Sequence, residues 1–349
     1  MELTTLCYIE TEDAYLMMHR TKKKNDVNQD KWIGIGGHFE EQESPEDCLL
    51  REAYEETGLR LTKWQFRGIV TFCFRENDAK QTVSQPICEY MCLYTATAYE
   101  GKIQECNEGE LVWVPKQDVL SLNLWEGDRI FFDLLIRKEP FFSLKLVYRG
   151  DRLEQAVLNG EKMELLDVLD ESGQKTGQTR ERSLVHAYGT WHATSHVWII
   201  QKRPDGGMNV LLQKRSKDKD SFPGCWDISS AGHIPAGSDF RESAVRELQE
   251  ELGLTVRPEE LKLLDYIRLE KDQVFYGKPF IDRQISAVFV YEWDGETEEL
   301  KLQQSEIEAV RFMDYEECLK ELEAGNKEYC IFQQEFRMLG SCMGKEANE

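Results

Sequence analysis

Two nine-residue strings, "REAYEETGL" from Arg51 and "RELQEELGL" from Arg246, stand about 195 residues apart in a chain of 349. A shift of that size is a whole domain, far beyond the roughly 20–50-residue period of a solenoid. The repetition extends upstream. "LCYIETEDAYLMMHR" predicts two strands around a polar turn at Glu10 to Asp13, and "HVWIIQKRPDGGMNVLLQKR" predicts the same around Pro204-Asp205-Gly206-Gly207. Each hairpin leads through a polar, basic loop, a Trp and a Gly-His pair into an acidic helix. Strands follow: "FRGIVTFCF", "YMCLYTATAY" and "ELVWV" in the first half, "KLLDYIRLE", "ISAVFVYEW" and "AVRFM" in the second. Late helices are predicted over Leu124–Arg137 and Tyr315–Leu339. This order predicts two α/β domains, each with helices packed on a mixed sheet. The first closes with "FFSLKLVYRGDRLEQAVL", which places the boundary near Gly160 and the domains at 1–158 and 159–349. The second opens with an extra hairpin turning at Asp170 to Gly173, and the chain ends in a frayed tail, "GKEANE".

The repeated helix has clear start and stop signals. Ser44 is a candidate N-cap with Pro45 at the first helical position, Glu46 and Asp47 suit the positive end of the dipole, and Gly58 suits the position just past the end. Leu49, Leu50, Ala53 and Tyr54 form the apolar stripe. In the second copy Asp239 is the cap, Glu242 follows three residues later as in a capping box, and Ala244, Val245, Leu248 and Leu252 form the stripe. The other face carries Glu52, Glu55 and Glu56, and in the copy Glu247, Glu250 and Glu251, at i, i+3 and i+4. Like charges so spaced repel by tenths of a kcal/mol each. One such cluster is an ordinary solvated face. Two at equivalent places, each opened by Arg and closed by Gly-Leu, point to a divalent cation. Hard ions such as Mg²⁺ take carboxylate oxygens together with substrate phosphates, and they acidify an attacking water. Arg51 can pair with Glu55 one turn on.

The chain carries a formal charge of -22 and a pI near 4.8. That balance argues against duplex nucleic acid and against an anionic membrane surface. It is compatible with a polyphosphate held through metal ions, which invert the local charge. The sequence has no apolar run long enough to span a bilayer and no signal-peptide pattern, so a cytoplasmic protein is expected. None of the ten cysteines forms a C-x-x-C pair, and reduced, buried thiols are expected.

"GHFEEQESPEDCLLREAYEETGL" (Gly37 to Leu59) resembles the signature of the Nudix hydrolases: Gly, five residues, Glu, seven residues, then Arg-Glu-apolar-x-Glu-Glu-x-Gly-apolar. "GHIPAGSDFRESAVRELQEELGL" (Gly232 to Leu254) matches it except that Ser238 stands where Glu43 stands in the first copy. The resemblance implies two α/β/α sandwich domains that hydrolyse a nucleoside diphosphate linked to a further group. It implies Mg²⁺ or Mn²⁺ held by the helix glutamates and by a backbone carbonyl near Gly37 or Gly232. Glu43 would support Arg51, and Arg246 lacks that support. The general base is either Glu52 or Glu108.

The first half resembles the oxidised-purine nucleoside triphosphatases of this family, which implies 8-oxo-dGTP or a related purine triphosphate as substrate. Trp125 would stack on the base and Asp128 would bond its edge; the alternatives are a core anchor and a helix N-terminal acid. Ile33 departs from the Asn of animal members. Glu108 stands where the family often has a further metal-binding or basic Glu. The second half resembles the branch that includes the type 1 isopentenyl-diphosphate isomerases, with His186, His192 and His233 near that enzyme's metal histidines. Ala231 stands in place of its essential cysteine, and Asp282 and Gln284 in place of two glutamates. Hydrolysis of an unidentified diphosphate is therefore expected there, with isomerisation or nucleotide sensing as rivals. Glu306 is a further candidate ligand. The oligomeric state is left open.

Overall fold

The strands that open the two halves alternate their side chains between two helical layers. In Glu2–Glu10, Cys7 and Ile9 pack with Leu49 and Ala53 of the acidic helix. Tyr8, between them, meets Phe131 and Phe132 of the late helix, with ring centroids 5.9 and 4.5 Å away. In His192–Lys202, Val197 and Ile199 pack with Ala244, Leu248 and Leu252, while Trp198 and Ile200 pack with Tyr315 and Phe336. A strand with period two and apolar residues on both faces requires a cover on each side. The sequence supplies one helix for each cover, and an α/β/α sandwich results.

This computed structural model describes residues 2–22, 26–75, 87–219 and 221–343. Two units result: Met1–Leu165 with Gln178–Glu181, and Leu166–Gly177 with Arg182–Glu349. In the first, the mixed sheet runs Trp32–Ile33, Ala14–His19, Glu2–Glu10, Ile87–Glu100, Arg60–Arg75, Phe142–Arg149, Arg152–Leu158 and Glu161–Lys162, with Glu110–Pro115 branching onto Ala14–His19. In the second it runs Trp226–Asp227, Met208–Arg215, His192–Lys202, Lys278–Glu292 and Lys262–Phe275, with Ser230–His233 and Ile307–Asp314 branching from it. Glu2–Glu10 is parallel to Ile87–Glu100, and His192–Lys202 to Lys278–Glu292. No helix of the described residues is long and apolar enough to cross a membrane.

The acidic helices are Pro45–Thr57 and Phe240–Leu252. Ser44 and Asp47 form a reciprocal capping box, Asp239 accepts the Glu242 N–H at 2.8 Å, and Gly58 and Gly253 close the helices at φ 73° and 70°. Three expectations change. Tyr54 is not part of the buried stripe: it is 47% exposed, with the Arg60 guanidinium 5.1 Å from its ring, and Cys48 is buried instead. The helix expected over Tyr315–Leu339 breaks into Tyr315–Glu323 and Gln333–Met338. Gly325 turns the chain at φ 68°, and the next residues pair with Trp226, through Trp226 N–H to Glu328 O at 2.7 Å and Cys330 N–H to Trp226 O at 2.9 Å. Not every thiol is reduced. Cys73 and Cys88 are opposite each other on antiparallel strands, with Cα atoms 4.2 Å apart, and form a disulfide. Cross-strand register decides that pairing, and cysteine spacing does not reveal it. The expected tail, 344–349, lies outside the described residues.

Leu248 is fully buried between the second acidic helix and the sheet. Leu248→Ala is expected to destabilise the second unit by about 2–5 kcal/mol. Gln249→Ala, on the exposed side, should change it by less than about 0.5 kcal/mol. Denaturant titration of the full chain measures both.

Candidate functional site

Each acidic helix sends its carboxylates to a glycine-bearing strand edge. Glu56 accepts the Gly36 N–H at 2.9 Å. Glu52 fills the space in front of Gly37: a Cβ there would lie 2.4 Å from Glu52 Oε1, so a larger residue would displace that carboxylate. Glu55 lies outward, 58% exposed, with its Oε2 3.2 Å from Arg51. In the second unit, Glu251 accepts the Ser230 hydroxyl at 2.7 Å, a Cβ at Gly232 would lie 2.2 Å from Glu247 Cδ, and Glu250 is exposed. The i, i+4 pair, Glu52 with Glu56 and Glu247 with Glu251, points at the edge. The i+3 member flanks it.

Burial raises the pKa of the deep carboxyls. Glu56 is pushed up to about 8, first by desolvation and then by Glu52 and Glu108, against the Gly36 hydrogen bond. Glu251 is pushed up to about 7 by desolvation, Glu247 and Asp227, with Ser230 and Lys219 opposing. Carboxyls crowded in this way are relieved by a cation, and their all-oxygen donors fit a hard divalent ion. The Gly37 carbonyl accepts the Thr5 N–H at 2.9 Å, and the Cys48 thiol approaches it at 3.6 Å.

Around each cluster stands a further acid paired to a cation. Arg20 holds Glu108 and, at 2.6 Å, Asp26. Lys219 holds Glu306. Trp125 caps the helix Glu126–Ile136; its ring is only 5% exposed, its N–H donates to Asn28 at 2.9 Å, and Phe72, Phe74 and Tyr148 meet it edge-on. Lys31 Nζ lies 4.8 Å from the ring centre. Asp128 is buried, and desolvation pushes it up to about 8 despite Lys31 and Arg129. Ile33 packs into the core on the acidic-helix side.

His186, His192 and His233 bring their ring nitrogens within 4.8 Å of one another. The Nε2 atoms of His186 and His233 are 3.0 Å apart, and Asp282 Oδ1 is 3.8 Å from His186 Nδ1 and 3.6 Å from His192 Nε2. Three of these buried atoms, His186 Nδ1, His192 Nε2 and Asp282 Oδ1, have no hydrogen-bond partner. Burial, His192 and Arg182 push His186 down to about 3; burial pushes His192 down to about 4, and Asp282 up to about 6. Neutral imidazoles with converging lone pairs are the donor set of a transition metal.

The sequence reading missed His196 and Glu335, a buried pair joined at 2.9 Å in the second unit. A histidine inside the apolar run "SHVWII" was the available signal.

The two arginine clamps differ. Arg51 forms a fork on Glu43, at 2.6 and 2.9 Å, and also reaches Glu52 at 2.7 Å and the His38 carbonyl at 3.0 Å. That fork holds Glu43 down at about 2. With Ser238 in the equivalent place, Arg246 bonds Glu247 at 2.6 Å, and its buried Nε has no partner. Ser238→Glu should therefore raise the unfolding midpoint of the second unit by roughly 2–4 °C, the effect of about 1 kcal/mol in a domain of this size. Glu43→Ser should lower that of the first. Calorimetry of the full chain reads both.

The NUDIX domain family model matches residues 2–135 and 192–333. "Nudix hydrolase 3" of Arabidopsis thaliana is 41% identical over 156 residues, which are 44% of this chain and 20% of that protein. The chain thus matches only about a fifth of that relative's length. An uncharacterized Nudix hydrolase of Clostridium acetobutylicum is 38% identical over 160 residues, 43% of this chain and 74% of the relative. Among solved structures, the mutator MutT protein of Bacillus halodurans aligns over 46% of this chain and 99% of its own at 26% identity and a TM-score of 0.40. With the family model covering most of both halves, the chain belongs to the NUDIX domain family and carries two such domains in tandem.

Proposed function

We propose that the chain hydrolyses phosphoanhydrides with one metal-dependent site in each domain. The observation that carries this is the repeated placement of a deep glutamate, Glu56 or Glu251, and its i−4 partner, Glu52 or Glu247, against a glycine-bearing strand edge. Glu52, Glu55 and Glu56 with Gly37, and Glu247, Glu250 and Glu251 with Gly232, would hold Mg²⁺ or Mn²⁺. The ion would polarise the phosphoryl group and acidify the attacking water. Arg51 steadies Glu52, and Glu52 or Glu108 accepts the water's proton.

For the first domain the proposed substrate is a purine triphosphate of the 8-oxo-dGTP type, cut to monophosphate and pyrophosphate. Asp128 supports this. A carboxyl pushed up to about 8 is mostly protonated at neutral pH, so it can donate one hydrogen bond and accept another at a base edge. The aromatic rings around Trp125 supply an apolar wall. A stacked base would displace Lys31 from the Trp125 face. For the second domain the proposed substrate is another diphosphate. His186, His192, His233 and Asp282 would hold a transition metal beside it, serving as a Lewis acid. Those histidines also favour an isomerase as the second reading, against which stand Ala231 and Gln284. The unsupported Arg246 suits a third reading, in which this domain binds a nucleotide without cutting it.

A panel of 8-oxo-dGTP, dGTP, ADP-ribose, diadenosine polyphosphates and isopentenyl diphosphate with Mg²⁺ tests these assignments. Glu56→Gln should reduce release of pyrophosphate from 8-oxo-dGTP by at least about 100-fold, an order typical of losing a transition-state electrostatic contact. Glu251→Gln should leave that reaction intact. Absence of the activity, or its dependence on Glu251, sinks the assignment.

Metal binding should also depend on pH. Glu56 is largely protonated below about 8 and must ionise to bind a cation. Mn²⁺ affinity of the first site should rise as pH increases through 8, with a proton released at pH 6.5 and almost none at pH 9.5. Calorimetry in buffers of different ionisation enthalpy counts those protons. A pH-independent affinity contradicts the assigned role of Glu56.

A further inference from the structure

The turn that carries the chain from the glycine-bearing edge into each acidic helix has the same form in both domains but a different support. In the first, Glu43 N–H donates to Glu40 O at 3.3 Å, with Gln42 between them at φ 72°. In the second, Ser238 N–H donates to Pro235 O at 3.0 Å, with Gly237 between them at φ 87°. The first turn is held from within: Glu43 accepts the Glu40 N–H at 2.8 Å and takes the Arg51 fork. The second cannot be held that way. Ser238 replaces the carboxylate, and Pro235, in the place of Glu40, has no N–H to offer one.

Its support comes from outside. The lead-in strand Leu165–Leu169 meets the turn through a bridge between Leu166 and Pro235. Asp167 and Leu169 project from the same side of that strand. Leu169 packs with Ile234 and Phe240, which flank the turn. Asp167 Oδ2 accepts the Gly237 N–H at 3.0 Å. Lys175 Nζ lies 2.8 Å from the same oxygen and donates to Ser238 O at 3.3 Å. Asp167 is only 4% exposed. A carboxylate out of water is costly unless its bonds are met, and a cation and a backbone N–H meet them here. Lys175 alone would balance the charge; the bond to Gly237 ties the strand to the turn. That turn joins the two parts of the acidic cluster. Gly232 precedes it, and Asp239, the cap of the helix that carries Glu247, Glu250 and Glu251, follows it. Fixing the turn fixes where the helix stands against the edge.

We propose that Asp167 is a positioning residue for the second domain's cation site, supporting the turn from outside as Glu43 supports its counterpart from within. The proposal rests on the reading of Glu247, Glu250 and Glu251 with Gly232 as that site.

The test is a Mn²⁺ titration of the full chain, with free Mn²⁺ counted by its paramagnetic resonance signal. The component of binding that Glu251→Gln removes belongs to the second-domain glutamates. Asp167→Ala should raise the dissociation constant of that component about tenfold, the low end for residues that orient metal ligands. Asp167→Asn keeps an acceptor for the Gly237 N–H and should stay within about threefold of wild type. Asp167→Leu, alike in shape and without an acceptor, serves if the alanine variant does not fold. Ser238→Glu offers Arg246 a partner from within the turn. It should change the constant by less than about twofold while Asp167 is present, and lower it at least about threefold in Asp167→Ala, because two supports of one turn do not add. A role in stability alone lowers the unfolding midpoint of Asp167→Ala and leaves its Mn²⁺ affinity, measured well below that midpoint, unchanged. That result, or an equal effect of Ser238→Glu in both backgrounds, overturns the proposal while the cation site stands. If Glu251→Gln removes no Mn²⁺ component, the cation-site reading fails and the role of Asp167 fails with it.

Discussion

A carboxylate forced against a backbone edge organises both domains. Glu56 and Glu251 come from a helix on one side of the sheet, and each bonds a donor, Gly36 N–H or the Ser230 hydroxyl, at the strand that faces it. Such a group is tolerated out of water only with a partner and a route to neutralisation. The partner fixes helix against strand. The route is a proton, as the raised pKa of both groups shows. Glycine at 37 and 232 follows from the same constraint, because any side chain would occupy the space of Glu52 or Glu247.

Around that contact the two halves are built alike yet equipped differently. The first clamps its arginine with Glu43 and surrounds Trp125 with aromatic rings. The second leaves Arg246 Nε unpaired and places four histidines on or beside one strand face. The alternation that sends Val197 and Ile199 to the acidic helix sends His196 and Trp198 to the opposite layer, where Glu335 meets both. Along this one strand Val197 and Ile199 pack on the acidic helix, while Thr194 and His196 line a cavity that Gly232 and His233 also line.

The sequence alone determined the repeat, the two acidic helices with their caps at Ser44 and Asp239, the hairpins and the α/β class. All of these are written in local spacing: period two for strands, i, i+3, i+4 for helices, and glycine past each helix end. It also brought out the glutamates and the missing Glu at position 238. Tertiary structure decided the rest. Whether Tyr54 is buried depends on where the helix rolls on the sheet. The break before Gln333 depends on Trp226, about a hundred residues earlier. The Cys73–Cys88 pair depends on strand register, the raised pKa values of Glu56 and Asp128 depend on what covers them, and Glu335 meets His196 across 139 residues of chain. Local patterns encode which face a residue lies on. Only packing decides what it meets there, because desolvation and hydrogen bonding act through contacts that sequence distance does not reveal.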